Sequence, residues 1–148
     1  SIIKAHHCIP VSFDEGIKKA DFISLHLPIN EKTKYLITKK ELSQMKKTCI
    51  LVNTARGGII KEDDLAWALQ NQVIHSAGLD VFEEEPPKEN NPLLNVDNLI
   101  LTPHSAALTL ACRKRMAVET CNNIVNYLNR SKDLILNNIV NKDILKIN

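Results

Sequence analysis

The chain has 148 residues, 44% of them hydrophobic and 24% charged, enough for one folded domain with its own core. A formal net charge of +2, scattered lysines and only 4% aromatic residues argue against a nucleic-acid surface or a base-stacking platform. No apolar run approaches the roughly 20 residues that span a bilayer. No signal-peptide pattern opens the chain, and Cys8, Cys49, Cys112 and Cys121 include no C-x-x-C pair, so they read as reduced thiols of a cytoplasmic protein.

Ser12-Phe13-Asp14-Glu15 has the S-x-x-E form of a capping box and predicts a short helix through about Ala20. Asp21 to Leu27 reads as a strand, closed by Pro28, which cannot donate to a sheet ladder. Thr38-Lys39-Lys40-Glu41 is a second capping box, opening a helix through about Met45. Thr48 to Asn53 is the next strand. Glu62 to Gln70 places Leu65, Ala66 and Leu69 at helical spacing behind an acidic first turn, which suits the positive end of a helix dipole. Ser76 to Phe82 is a strand containing Gly78, where neighbouring backbone is expected to come close. An acidic, proline-rich loop follows from Glu83 to Pro92. Asn98 to Leu101 is a last short strand, and a long helix runs from about Leu108 to Leu128. The residues beyond it have no clear period. Strands alternate with helices, so the expected class is α/β with a largely parallel sheet.

The apolar run Cys49-Ile50-Leu51-Val52 delivers the turn Asn53-Thr54-Ala55-Arg56-Gly57-Gly58 to the carboxyl end of its strand, where open α/β sheets bind ligands. A guanidinium there is able to hold a carboxylate through two parallel hydrogen bonds. The two glycines leave the backbone open to close approach. Further on, Asp80-Val81-Phe82-Glu83-Glu84-Glu85-Pro86 carries carboxylates and Leu101-Thr102-Pro103-His104 carries an imidazole. Taken singly, each has an ordinary explanation: an arginine in a turn is usually solvated, three glutamates are usually a wet face, and a histidine after Thr-Pro more often caps or packs.

The order N-T-A-R-G-G, G-L-D-V-F-x-x-E-P, T-P-H resembles the D-isomer-specific 2-hydroxyacid dehydrogenases, from about Ser12 to about Val125. The resemblance implies a partial Rossmann-type, doubly wound parallel sheet lacking its first βαβ half. Residues 1–107 would form a partial NAD(P)-binding domain, with 108–148 a long helix and tail returning toward a substrate domain. It implies a catalytic trio of Arg56, Glu85 and His104. Arg56 anchors a substrate carboxylate, His104 donates a proton to the keto oxygen, and Glu85 pairs with His104, orients it and favours the imidazolium. Glu85 is chosen because the family's acid directly precedes proline, which leaves Glu83 and Glu84 as surface.

The same resemblance places Leu27 and Pro28 on the adenosine side of the cofactor and Thr33 close to it. Thr54, Ala55 and Arg56 line the nicotinamide side, Asp80 bonds the carboxamide, and His104, Ser105 and Ala106 close the site. His104-Ser105-Ala106-Ala107 departs from the common H-x-G-G form. The implied cofactor is NAD, with NADP open, and no metal is needed. The implied partner is a small 2-hydroxy or 2-keto acid, and the intact protein is expected to be a homodimer. Glutamate at 85 argues against a formate dehydrogenase, while phosphite-oxidising relatives keep the trio. An NAD-binding regulatory or corepressor-like protein is the alternative from another class, and a fragment that only binds a partner is a third reading.

The fingerprint G-x-G-x-x-G and its following acidic residue are absent, the chain having only Gly16, Gly57, Gly58 and Gly78. The isolated chain is therefore expected to be a poorly active or inactive fragment. Of the other histidines, His6 and His7 do not make a metal site by themselves, His26 reads as structural and His75 as surface; Trp67 reads as helix packing.

Overall fold

The computed structural model describes residues 8–129 and 139–141. His6, His7 and most of the tail after Asn129 lie outside the described residues. The chain forms two compact units, one through Ala106 and the other from Ala107.

In the first unit the elements run α1 (Phe13–Lys19), β1 (Phe22–Leu25), α2 (Lys39–Leu42), β2 (Ile50–Asn53), α3 (Glu62–Gln70), β3 (Ser76–Leu79), a 3-10 turn (Pro92–Asn95) and β4 (Leu99–Leu101). The four strands form one parallel sheet in the order β1-β2-β3-β4. The class is α/β, as the alternation of elements implies. Leu25, Asn53, Leu79 and Leu101 stand in register at the carboxyl ends, so the loops after all four strands leave from one edge.

Ser12 caps its helix without a reciprocal box, the Glu15 carboxylate pairing with Lys19 instead, while Thr38 forms the full capping box. Ser12 accepts from the Glu15 N–H at 3.2 Å. Thr38 and Glu41 exchange bonds, with the Thr38 N–H donating to Glu41 Oε2 at 3.0 Å and the Thr38 side chain accepting from Lys40. Thr38→Ala is expected to cost about 1 kcal/mol. Urea unfolding checks this as a lower midpoint at unchanged slope.

The core lies on one face of the sheet. Leu51, Ala77 and Leu79 pack there with Ile37, Leu42, Ile59, Leu65, Leu69, Ile74 and Leu93, all buried. The alternate residues face the other way. Phe22 is 74% exposed and Ile100 72% exposed on that second face, where Ser24, Val52 and Gly78 also stand. A parallel sheet normally has both faces covered, so this is a partial doubly wound sheet.

Some local expectations need correction. The strands are shorter than their apolar runs: β1 stops at Leu25 and β3 at Leu79. Pairing ends where the neighbouring strands end, whatever the hydrophobicity beyond. The Pro92–Asn95 turn was not expected; Asn91 caps it by accepting from the Leu93 N–H at 3.0 Å. Gly78 has no close neighbour, because a Cβ built there meets nothing within 4 Å. Its small size opens the uncovered face rather than admitting backbone.

In the second unit, α4 (Leu110–Leu128) begins at Thr109, whose hydroxyl accepts from the Cys112 N–H at 3.2 Å. None of its residues is buried. Among the described residues no helix is long and apolar enough to cross a membrane. Cys49 is buried and Cys121 exposed, and no metal-binding cluster occurs among the described residues.

Candidate active site

The turn after β2 is built by Asn53, which is buried at the strand end. Its side-chain oxygen accepts from the Ala55 N–H at 3.0 Å and its amide donates to the Arg56 carbonyl at 2.9 Å. Asparagine closes such turns readily because its side chain imitates a peptide group. The Arg56 side chain is thereby lifted into solvent. It donates to the Ala55 carbonyl at 2.6 Å and, among the described residues, pairs with no carboxylate.

Glu85 and His104 meet directly, with Glu85 Oε2 2.7 Å from His104 Nδ1. Glu85 Oε1 also accepts from the Phe82 N–H at 3.0 Å. The bond to His104 first, and the Phe82 N–H second, hold the Glu85 carboxyl below the usual glutamate range. With Nδ1 committed to the carboxylate, Nε2 is the ring nitrogen left to meet a ligand.

His104 sits in a left-handed backbone conformation, with φ at 52°. Asp80 fastens the loop that imposes it. One Asp80 oxygen accepts from the Thr102 hydroxyl and from the Ser105 N–H at 2.8 Å; the other accepts from the Ala106 N–H at 2.9 Å. Burial raises the Asp80 carboxyl, but these three donors and the nearby His104 together bring it below its ordinary value. Asp80 is therefore the organiser of the 102–106 loop, a role its place in the motif did not reveal.

The remaining sequence-selected positions are also placed. Leu27 and Pro28 follow the end of β1 and are exposed. Thr33 closes their loop, its hydroxyl donating to the Pro28 carbonyl at 2.6 Å and accepting from the Asn30 N–H at 2.8 Å. Thr54 is exposed and Ala55 half-buried beside Arg56. His26 is exposed, bonding Ser24 Oγ at 2.8 Å, and His75 is exposed beside Ser76. Trp67 packs against the core and carries the Lys39 ammonium 3.8 Å from its ring centroid. Glu83 is exposed as expected, yet its carboxylate is fully engaged: Oε1 accepts from the Glu62 N–H at 2.9 Å and Oε2 from the Tyr35 hydroxyl at 2.8 Å. Glu62 is buried and accepts from the Glu83 N–H at 2.6 Å, a use beyond the helix-dipole role its position implies.

The family model described as "D-isomer specific 2-hydroxyacid dehydrogenase, NAD binding domain" matches residues 2–106. The chain belongs to that family. It is similar to a glyoxylate reductase from Aeropyrum pernix, 40% identical over 136 residues, which are 92% of this chain and 40% of the relative. It is also similar to a D-3-phosphoglycerate dehydrogenase from Methanocaldococcus jannaschii, 52% identical over 101 residues, 68% of this chain and 19% of the relative. Its fold matches a D-lactate dehydrogenase from Aquifex aeolicus, solved with NAD and lactic acid, at a TM-score of 0.80 and 32% identity over 95% of this chain and 46% of that one. The chain thus spans less than half the length of each.

The polar groups on this edge of the chain are chemically compatible with the nicotinamide end of an NAD molecule. Arg56 and Thr54, Asp80, and His104 to Ala106 stand after β2, β3 and β4, on the edge where parallel α/β sheets take their ligands. The pyrophosphate end is different, since no G-x-G-x-x-G cradle occurs in the sequence.

Proposed function

We propose that this chain is the nicotinamide-side part of an NAD-dependent oxidoreductase that interconverts a D-2-hydroxy acid and its 2-keto acid. The observation that carries this reading is the 2.7 Å Glu85–His104 pair on the same sheet edge as an exposed arginine that has no carboxylate partner among the described residues. The bound nicotinamide supplies or accepts the hydride. Arg56 holds the substrate carboxylate with its planar fork. His104 gives a proton from Nε2 to the keto oxygen, and in the reverse direction takes the hydroxyl proton at the same atom. Glu85 fixes the ring by accepting at Nδ1, leaving Nε2 facing the substrate.

The substrate class is a small 2-keto acid of the glyoxylate, hydroxypyruvate or phosphohydroxypyruvate type, supported by the names of the relatives. NADP stays open beside NAD, because no acidic position of the kind that selects between them is found in this sequence. The intact protein is taken as a cytoplasmic homodimer. Leu27 and Pro28 are assigned to the adenosine side, Thr33 to a place near the cofactor, and Asp80 to the carboxamide.

The test uses this chain grafted behind the amino-terminal part of the Aeropyrum pernix glyoxylate reductase, with NADH oxidation followed on glyoxylate and hydroxypyruvate. Arg56→Ala and His104→Ala are each expected to lower kcat/KM about 10²- to 10⁴-fold. Undiminished turnover in His104→Ala sinks the acid–base assignment. Tight NADH binding without turnover in the unsubstituted graft favours a nucleotide-sensing role instead. The 148-residue chain alone is expected to turn over poorly, since the cradle for the pyrophosphate is not in its sequence.

A further inference from the structure

We propose that Glu83 and Glu62 form a positioning brace that holds the Glu85–His104 pair in fixed relation to the Arg56 turn. The inference rests on the dehydrogenase reading for the roles of those three residues, but the brace itself stands on geometry.

Four carboxylate oxygens take four donors. Glu83 Oε1 accepts from the Glu62 N–H at 2.9 Å, and Glu62 Oε1 accepts from the Glu83 N–H at 2.6 Å. Glu83 Oε2 takes the Tyr35 hydroxyl at 2.8 Å, and Glu62 Oε2 takes the Asn91 amide at 2.6 Å. The contacts join segments that are distant in sequence: the loop after β1, the start of α3, the loop after β3 and the cap of the Pro92–Asn95 turn.

The reciprocal pair has a local cause. Lys61, at the N-cap of α3, makes no side-chain capping bond. The first N–H groups of a helix need acceptors and favour negative charge. Glu83 supplies that acceptor from 21 residues away. In return the Glu83 N–H is tied to the helix through Glu62. A polar network satisfied at every member is rigid.

The rigidity is delivered to the acid–base pair through one residue, Phe82. Phe82, bonded covalently to Glu83, donates its N–H to Glu85 Oε1, and Glu85 Oε2 holds His104. Beyond the Phe82 Cα, the Phe82–Glu83 peptide meets Gly57, next to Arg56: a Cβ built on Gly57 falls 1.6 Å from the Phe82 carbonyl oxygen. The brace therefore presses the segment carrying Glu85 against the turn carrying Arg56. The Glu83 carboxylate also pushes the Tyr35 phenol above its ordinary value, as a hydrogen bond to a carboxylate does.

The test is a carboxyl titration of Glu85 by carbon-13 NMR in the full chain, together with the His104 Nδ1–H proton signal. Glu83→Ala is expected to move the Glu85 midpoint upward, toward the ordinary glutamate range, and to abolish the Nδ1–H signal. Glu83→Gln is expected to retain both, because its amide oxygen still accepts from Glu62 and its NH₂ donates to the Tyr35 oxygen. Tyr35→Phe, the milder variant, is expected to move the midpoint the same way by less, and it serves if Glu83→Ala does not fold. An unmoved Glu85 midpoint in a variant whose amide spectrum stays dispersed overturns the brace, since a merely structural role lowers stability without touching this titration. The readout needs neither cofactor nor substrate. A lack of dehydrogenase turnover thus counts against the reading of the site, and an unmoved Glu85 counts against the brace alone.

Discussion

Gly57→Ala is expected to destabilise the chain by about 3 kcal/mol, at the upper end of what overpacking usually costs. The added Cβ would lie 1.6 Å from the Phe82 carbonyl oxygen, 2.2 Å from its carbon and 2.9 Å from the Glu83 nitrogen. All three are backbone atoms, so no rotamer change relieves the overlap. The loop after β3 or the turn after β2 must move as a unit, and the Glu62–Glu83 bonds and the buried Asn53 oppose either movement. Gly58→Ala is the control. Gly58 has φ at 76°, and a Cβ there meets only the Ile29 side chain at 3.7 Å. Its cost is conformational, about 1–2 kcal/mol for a left-handed alanine. Urea unfolding of the two variants side by side decides the matter: a Gly57→Ala midpoint no lower than that of Gly58→Ala means that the two segments are not in contact. A folded Gly57→Ala protein is also expected to lose catalytic geometry in the active graft, because the clash displaces the segment that carries Glu85.

Asp80→Asn is expected to cost about 2–3 kcal/mol at neutral pH, the range for stranding buried donors. The carboxylate serves three donors around a loop held in an uncommon backbone conformation at His104. An amide presents one acceptor oxygen and an NH₂, so at least one of the Thr102, Ser105 and Ala106 donors loses its partner. The effect depends on pH with a definite sign. Although burial raises the Asp80 carboxyl, the donors outweigh it and the folded value lies below the unfolded one. The carboxylate's contribution is therefore fully present above about pH 4. It is lost as pH falls through the depressed folded value, because protonation then favours the unfolded chain. The difference between wild type and Asp80→Asn is expected to be largest near about pH 7 and to shrink in strong acid. A difference that stays constant, or grows, as the pH falls would mean that the charge on Asp80 does not hold this loop.

Much of this protein was legible in its residues because the relevant interactions are local. The N-cap bonds at Ser12 and Thr38 join residues close in sequence, and the helix Glu62–Gln70 carries its apolar face at helical spacing, so neither needs the rest of the fold to be read. The parallel α/β class follows from the alternation of strands and helices, and the family from three motifs in fixed order. The same motifs single out the Arg56 turn, Glu85-Pro86 and Thr102-Pro103-His104 as the proposed site segments. Other features depend on partners far along the chain. Where β1 and β3 stop depends on where their neighbours stop. Whether Gly78 admits backbone depends on what covers the second face of the sheet, and among the described residues nothing comes within 4 Å of a Cβ built there. In the run Glu83-Glu84-Glu85, the proline marks Glu85, but no local signal separates Glu84, paired with Lys88 in solvent, from Glu83, which serves a helix 21 residues away. Asp80 similarly acquires its organising role only when the loop after β4 folds back over the end of β3. Hydrogen bonds within one turn of chain are written in neighbouring residues; those that close loops of twenty residues or more exist only once the sheet has brought its strand ends to a common edge.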